Sequence, residues 1–197
     1  MDGQNDRPEY SREPTLDDIV QLCRHLNEAG AKYVIIGGFA VILNGFIRTT
    51  GDVDLLVDSS LENVARIKRA LLYLPDQAVR EIDAEEVAKY SVVRVADEII
   101  VDLMHKACEV TYDHTRDHVA YYSVADVRIP FLKPELLLKT KMTIRPKDAE
   151  DRFFLEQLLE GGKTDTLASP KIESVAFLSP LHRFLKKVRE LFIRSRS

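Results

Sequence analysis

The feature that most constrains this chain is a pair of aspartates at the start of a short apolar run, DVDLLV at residues 52–57. Successive side chains of a β-strand point to opposite faces, so Asp52 and Asp54 project together. Val53, Leu55 and Val57 then point to the other face, towards a core. Two carboxylates held side by side repel each other, and each is hard to ionise without a compensating cation. The pattern predicts either a cation site on a buried strand or, more simply, a turn at Gly51-Asp52 with Asp54 exposed on an edge strand.

Short apolar runs alternate with amphipathic segments along the rest of the chain. Helical spacing of apolar residues predicts five helices, at residues 15–30, 39–43, 61–74, 134–142 and 149–159. Strand-like runs occupy residues 33–36, 52–57, 90–95, 98–104, 119–124 and 127–131, with 90–95 and 98–104 forming a hairpin. Residues 107–118 fit either a short polar helix or a loop. The order predicts an α/β or α+β domain, a small mixed sheet flanked by helices with further helices towards the C-terminus.

Composition places the chain among globular proteins, with 45% hydrophobic and 30% charged residues in a length of 197. We expect one domain at 15–160, preceded by a disordered lead-in at 1–14. A polar linker follows at 161–179, and a basic amphipathic helix at 180–197 could contact nucleic acid, an anionic membrane or a partner protein.

Several classes are disfavoured. No apolar run approaches the roughly 20 residues that span a bilayer, and the acidic, polar N-terminus does not have the form of a secretory signal. The two cysteines are far apart in the sequence, which is typical of reduced cysteines in a cytoplasmic protein. A net charge of −4 gives no domain-wide basic surface for nucleic acid.

A third carboxylate lies in the apolar run EIIVDLMH, which contains Asp102. An aspartate inside an apolar strand is unfavourable unless it is paired or binds a metal. If this strand lies beside residues 52–57, three carboxylates share one face of the sheet. Carboxylate oxygens are ligands that Mg²⁺ prefers, commonly together with substrate phosphates.

The strand at 33–36 runs directly into Gly37-Gly38, and a helix follows. Such a turn exposes backbone N–H groups at the positive end of a helix, which is a favourable place for phosphate. The sequence matches neither a P-loop nor the GxGxxG dinucleotide fingerprint, and a lone Gly-Gly is also common in ordinary strand-to-helix turns.

Taken together, these motifs resemble the nucleotidyltransferase superfamily with a DNA polymerase β-like core. Within it, the chain is most similar to the bacterial minimal nucleotidyltransferases that include the AbiEii-type toxins. The resemblance covers residues 15–160. It depends on the Gly37-Gly38 turn, the R-x-[ST]-x-D-x-D pattern of Arg48, Thr50, Asp52 and Asp54, the later Asp102, and Lys141, Arg145, Lys147, Asp148 and Asp151 in the segment 134–159. Lys139 could replace Lys141 in this match.

The resemblance implies a nucleotidyltransferase fold and a Mg²⁺-dependent transfer of NMP from an NTP to the hydroxyl of a tRNA, a protein or a small molecule. Asp52, Asp54 and Asp102 would bind two Mg²⁺ ions, with Asp102 also accepting the hydroxyl proton. The NTP would be held by Gly37, Gly38, Arg48, Thr50 and Lys141. A toxin with a cognate antitoxin is a further expectation.

Two other interpretations remain open. The chain could be a catalytically inactive member of this fold that acts as a binding or regulatory module. It could also belong to another class that uses a DxD motif with Mg²⁺, such as a glycosyltransferase, although the glycine turn directly before the aspartates argues against that class.

Overall fold

A computed structural model of the protein describes residues 11–164. Its helices are α1 Leu16–Glu28, α2 Gly37–Leu43, α3 Leu61–Leu71, α4 Glu86–Lys89, α5 Pro134–Thr140 and α6 Pro146–Thr164. Its strands are β1 Tyr33–Ile35, β2 Val53–Val57, β3 Val93–Ala96, β4 Ile100–Met104, β5 Lys106–Ala107, β6 Val110–Thr111, β7 Val119–Val124 and β8 Val127–Leu132. Two 3₁₀ helices lie at Ala78–Glu81 and Tyr112–Thr115.

Six strands form one mixed sheet in the order β3-β4-β2-β1-β8-β7. The pairing of β2 with β4 is parallel, as is that of β1 with β8, whereas the pairings of β1 with β2, β3 with β4 and β7 with β8 are antiparallel. Strands β5 and β6 pair separately. The predicted class is confirmed: the domain is α+β, with a mixed sheet flanked by helices.

Helix α1 begins where its sequence predicts. The Thr15 side chain accepts a hydrogen bond from the Asp18 N–H, and the Asp18 carboxylate accepts one from the Thr15 N–H, so two backbone donors of the first turn are paired. The apolar stripe of the helix is buried and consists of Ile19, Leu22, Cys23 and Leu26. It packs against α3 and β8 on one side of the sheet.

The site of interest lies where the central strands meet the C-terminal helices. Helix α2 packs against β2 and α5, and α5 packs against α6. All three residues of β1 are buried, and in β2 the apolar residues are buried while Asp54 is only partly covered. The core therefore fixes β2 firmly and leaves its acidic residue on the side of a cleft.

Some boundaries differ from those predicted. Ser11 is buried and donates a hydrogen bond to the Asp97 carbonyl (2.7 Å), so residues 11–14 of the predicted lead-in contact the domain. Helix α6 continues to Thr164, inside the predicted linker. Residues 107–118 contain short strands and a 3₁₀ helix.

The rest of the predicted lead-in and linker, and the whole predicted terminal helix at 180–197, lie outside the described residues. Within the described part of the chain, no helix has both the length and the apolar character needed to cross a membrane.

Candidate active site

The structure brings two of the three predicted carboxylates together through strand register. Asp54 in β2 and Asp102 in β4 are direct partners across the parallel pair, and Asp102 is almost fully buried. Asp52 precedes β2 by one residue and lies partly exposed beside them. The predicted alternation therefore holds, and the acidic residues form one group.

The charge on this group is poorly compensated at Asp54. Burial, followed by the nearby charges of Asp52 and Asp102, raises the pKa of Asp54 to about 7. Lys141 and a hydrogen bond from the Gly38 N–H act in the opposite direction but only partly offset the rise. A carboxylate in this position would gain most from a nearby cation.

Arg94 is a residue of the site that the sequence analysis missed. Its guanidinium donates two hydrogen bonds to the Asp102 carboxylate, from Nε to Oδ1 (2.9 Å) and from Nη2 to Oδ2 (2.8 Å). The same Nη2 lies 3.8 Å from Oδ2 of Asp52. Arg94 is in β3, directly opposite Asp102 in β4, so the hairpin register places it there.

The two glycines allow the chain to pass very close to the acidic strand. Gly37 has a left-handed φ of +59°, and a Cβ added there would lie 1.8 Å from Oδ2 of Asp54. A Cβ on Gly38 would lie 2.3 Å from Oγ1 of Thr50. Thr50 in turn contacts the Asp52 carboxylate, Oγ1 to Oδ1, at 3.2 Å. The turn is thus fitted around the carboxylates, and no larger side chain fits at either glycine without displacing them.

The predicted basic residues belong to a second charged group, centred on Asp151. Nζ of Lys141 lies 2.9 Å from Oδ2 of Asp151 and donates to Oδ1 of Asp148 at 3.1 Å, and Nη2 of Arg48 donates to Oδ2 of Asp151 at 2.9 Å. Lys141 is buried, whereas Lys139 is exposed on α5, so of the two alternative lysines it is Lys141 that lies at the cleft. Arg48 and Lys141 are therefore already paired with carboxylates. The sequence did not predict that the helix carrying Asp148 and Asp151 neutralises these two cations.

Residues of both groups line a cleft with a volume of about 910 Å³, which is within the range of small-molecule sites. The buried Asp102 and Asp151 are not among its lining residues. Its lining includes polar groups, among them the Gly37-Gly38 turn, Thr50, Asp52 and Arg94, and apolar residues from the end of β4 and the segment after it, among them Met104 and Ala107. The cleft can therefore take a ligand with a charged part and an apolar part.

The donor set suits a hard divalent cation. Asp52, Asp54 and Asp102 offer only oxygen ligands, and burial together with the neighbouring carboxylates raises the pKa of Asp54. As the described residues are arranged, no three His, Cys, Asp or Glu side chains converge closely enough to hold a metal ion. A cation shared by all three aspartates therefore requires a side-chain movement.

Comparison with known proteins adds little. No family model matches the sequence, and no curated protein matches it. The chain is similar in structure to a protein from Thermotoga maritima described as a "putative nucleotidyltransferase", with 16% sequence identity and a TM-score of 0.47 over 74% of this chain and 92% of that one. A likeness at this level does not establish a function for the present chain.

Proposed function

We propose that this protein is a nucleotidyltransferase that transfers NMP from an NTP to an acceptor hydroxyl. The observation that carries the proposal is the pairing of Asp54 with Asp102 across two parallel strands, where Asp54 lies directly against a glycine turn and lines the cleft. The turn and the carboxylates suit different parts of one ligand. Backbone N–H groups favour its negative phosphates, and carboxylates favour the cations that accompany those phosphates.

In the proposed arrangement, Asp52, Asp54 and Asp102 hold Mg²⁺, which would lower the negative charge on the phosphates and acidify the acceptor hydroxyl. The Gly37-Gly38 turn and Thr50 contact the β- and γ-phosphates. The apolar residues of the cleft are left for the base and sugar. Two magnesium ions, as the resemblance implies, remain part of the proposal.

Arg48 and Lys141 bring positive charge to the cleft that we assign to the phosphates. Both line the cleft, and Nε of Arg48 is buried with no hydrogen-bond partner among the described residues. Because Asp151 pairs with both cations, we assign them mainly to fixing the geometry of the turn.

The reaction balances as a single displacement. The acceptor oxygen forms a bond to the α-phosphorus, the bond from that phosphorus to the bridging oxygen breaks, and pyrophosphate leaves. Asp102 accepts the hydroxyl proton. The acceptor, which we expect to be a tRNA, a protein or a small molecule, approaches from the open side of the cleft. Membership of the AbiEii-type group, a toxin role with a cognate antitoxin and a cytoplasmic location stay predictions.

Label transfer tests the proposal. The protein is incubated with each α-labelled NTP, Mg²⁺ and a cell-extract acceptor pool, beside the Asp54→Ala variant and the surface control Asp76→Ala. We expect the wild type and the control to label one class of acceptor and Asp54→Ala to label none. Transfer that persists in Asp54→Ala would remove the carboxylates from the mechanism. Nucleotide binding without transfer to any acceptor would instead favour an inactive binding module.

A further inference from the structure

Arg94 is a positive charge in direct contact with the acidic group. It makes a two-point contact with Asp102 and an ion pair with Asp52, and hydrogen bonding to Asp102 raises its own pKa further above the ordinary arginine value. Asp54 and Asp52 add to the same effect. The guanidinium therefore compensates the charge of the group in the absence of a metal ion.

The two ends of this contact differ in mobility. The Asp102 side chain is 6% exposed and is held in a central strand, whereas the Arg94 side chain is 40% exposed and extends from β3, which is an edge strand of the sheet. Arg94 can turn into solvent without opening the core. Asp102 cannot turn away in the same manner, because its carboxylate would then be a buried charge without a partner.

Both oxygens of Asp102 accept hydrogen bonds from Arg94. A metal ion bound to Asp102 would lie close to the guanidinium, and because the two cations repel each other at such short range, binding of one disfavours binding of the other. Asp52 and Asp54 are less restricted, since Arg94 reaches Asp52 only at 3.8 Å and donates its hydrogen bonds to Asp102.

We propose that Arg94 is an internal cation that competes with a metal ion for Asp102. The protein at rest then offers one divalent site, at Asp52 and Asp54, and a second site that includes Asp102 forms only when Arg94 turns away. This inference rests on the proposed function for the identity of the site, and it adds an order of assembly: the first ion binds directly and the second displaces a side chain.

The role differs from that of a residue that merely orients Asp102. If Arg94 orients the carboxylate towards the metal, its removal weakens metal binding. If Arg94 competes, its removal strengthens binding at the second site. The two roles therefore predict changes of opposite sign in one measured affinity.

The test measures Mn²⁺ binding to the full chain by electron paramagnetic resonance, without nucleotide, in the wild type, Arg94→Gln and Arg94→Lys. For the wild type we expect one Mn²⁺ to bind and the second to bind at least tenfold more weakly. Arg94→Gln should tighten the second site about tenfold or more. Arg94→Lys keeps the charge but loses the two-point contact, so its second site should fall between the other two. The double variant Arg94→Gln with Asp102→Asn should bind only one ion.

A second measurement does not depend on the folding of a variant. In the wild type, the Nε–H resonance of Arg94 is followed by NMR during titration with Mg²⁺. We expect it to keep its position through the first equivalent and to shift, or lose its protection from exchange, as the second ion binds. A resonance that is unchanged at saturating Mg²⁺ would overturn the proposal.

The outcomes separate this inference from the proposed function. Two Mn²⁺ ions of equal affinity in the wild type, or an Arg94→Gln variant whose second site is unchanged or weaker, would refute competition while leaving the metal site intact. Binding of no Mn²⁺ by any variant would refute both. Binding that is lost in Asp54→Asn but tightened in Arg94→Gln would support both.

Discussion

Replacing Gly37 by alanine should destabilise the protein more than the same change at Gly30. Both glycines have left-handed backbones, with φ of +59° and +65°, so each alanine carries a conformational penalty of about 1–2 kcal/mol. At Gly30 an added Cβ meets nothing within 4 Å, whereas at Gly37 it would lie 1.8 Å from Oδ2 of Asp54. Crowding of this kind in a packed region adds about 1–3 kcal/mol.

We therefore expect Gly30→Ala to lower the free energy of unfolding by about 1–2 kcal/mol and Gly37→Ala by about 2–5 kcal/mol. The gain from restricting the unfolded chain is the same for both changes, so it does not affect the difference. Urea unfolding followed by circular dichroism measures the two values, and Mn²⁺ binding reports whether Asp54 has moved. Equal losses of stability, with Mn²⁺ binding retained in Gly37→Ala, would refute the idea that the turn is fitted around the carboxylate.

Three further changes test the charged groups. Lys141→Met leaves two buried carboxylates without their lysine and should lower the free energy of unfolding by about 3–5 kcal/mol. Its control, Lys139→Met on the exposed face of α5, should change this free energy little, and urea unfolding measures both. Asp97→Ala leaves three backbone N–H groups without an acceptor and should lower the free energy of unfolding by about 3 kcal/mol. The control is Asp76→Ala at an exposed side chain. Similar losses in the two variants would contradict the assigned hydrogen bonds. The pKa of Asp54 is raised from 3.8 to about 7 on folding, so the stability of the metal-free wild type relative to Asp54→Asn should fall as the pH rises from about 4 to about 7. Saturating Mg²⁺ should abolish that fall. A stability difference that does not change across this pH range would contradict the raised pKa.

The acidic strand was predictable because it depends only on local periodicity. In any strand the residues at 52 and 54 share a face, and apolar residues between them select which face enters the core. The same reasoning placed Asp102 within an apolar strand, and the parallel register of β2 and β4 makes it the partner of Asp54. The helix start at Thr15 was equally local, since the capping side chains lie three residues apart.

Arg94 was missed because its position depends on a hairpin register. A two-residue turn at Ala96-Asp97 would have paired the strands about three positions away from the observed register, in which Ala96 lies opposite Ile100. Asp97 is instead buried at the turn, where its carboxylate accepts hydrogen bonds from the N–H groups of Asp76, Ala78 and Glu98. A contact 19–21 residues away in sequence sets this turn, and a local pattern does not encode it.

The pairing of Arg48 and Lys141 was missed for a similar reason. Each looked like a free cation for phosphate, but Asp151 lies 103 residues beyond Arg48 and reaches it only because α6 packs on α5 beside the glycine turn. Sequence reasoning proposed Arg48 and Lys141 as phosphate contacts, and both line the cleft. It could not say which cations the fold itself neutralises.

The fate of the α-phosphorus tests the central claim most directly. The protein is incubated with Mg²⁺ and acceptor, in parallel with an NTP labelled at the α-phosphorus and with one labelled at the γ-phosphorus. Nucleotidyl transfer predicts that the α-label enters the acceptor, that the γ-label is released as pyrophosphate, and that Asp54→Asn abolishes both. Transfer of the γ-label to the acceptor, or release of inorganic phosphate without α-label transfer, would contradict the account.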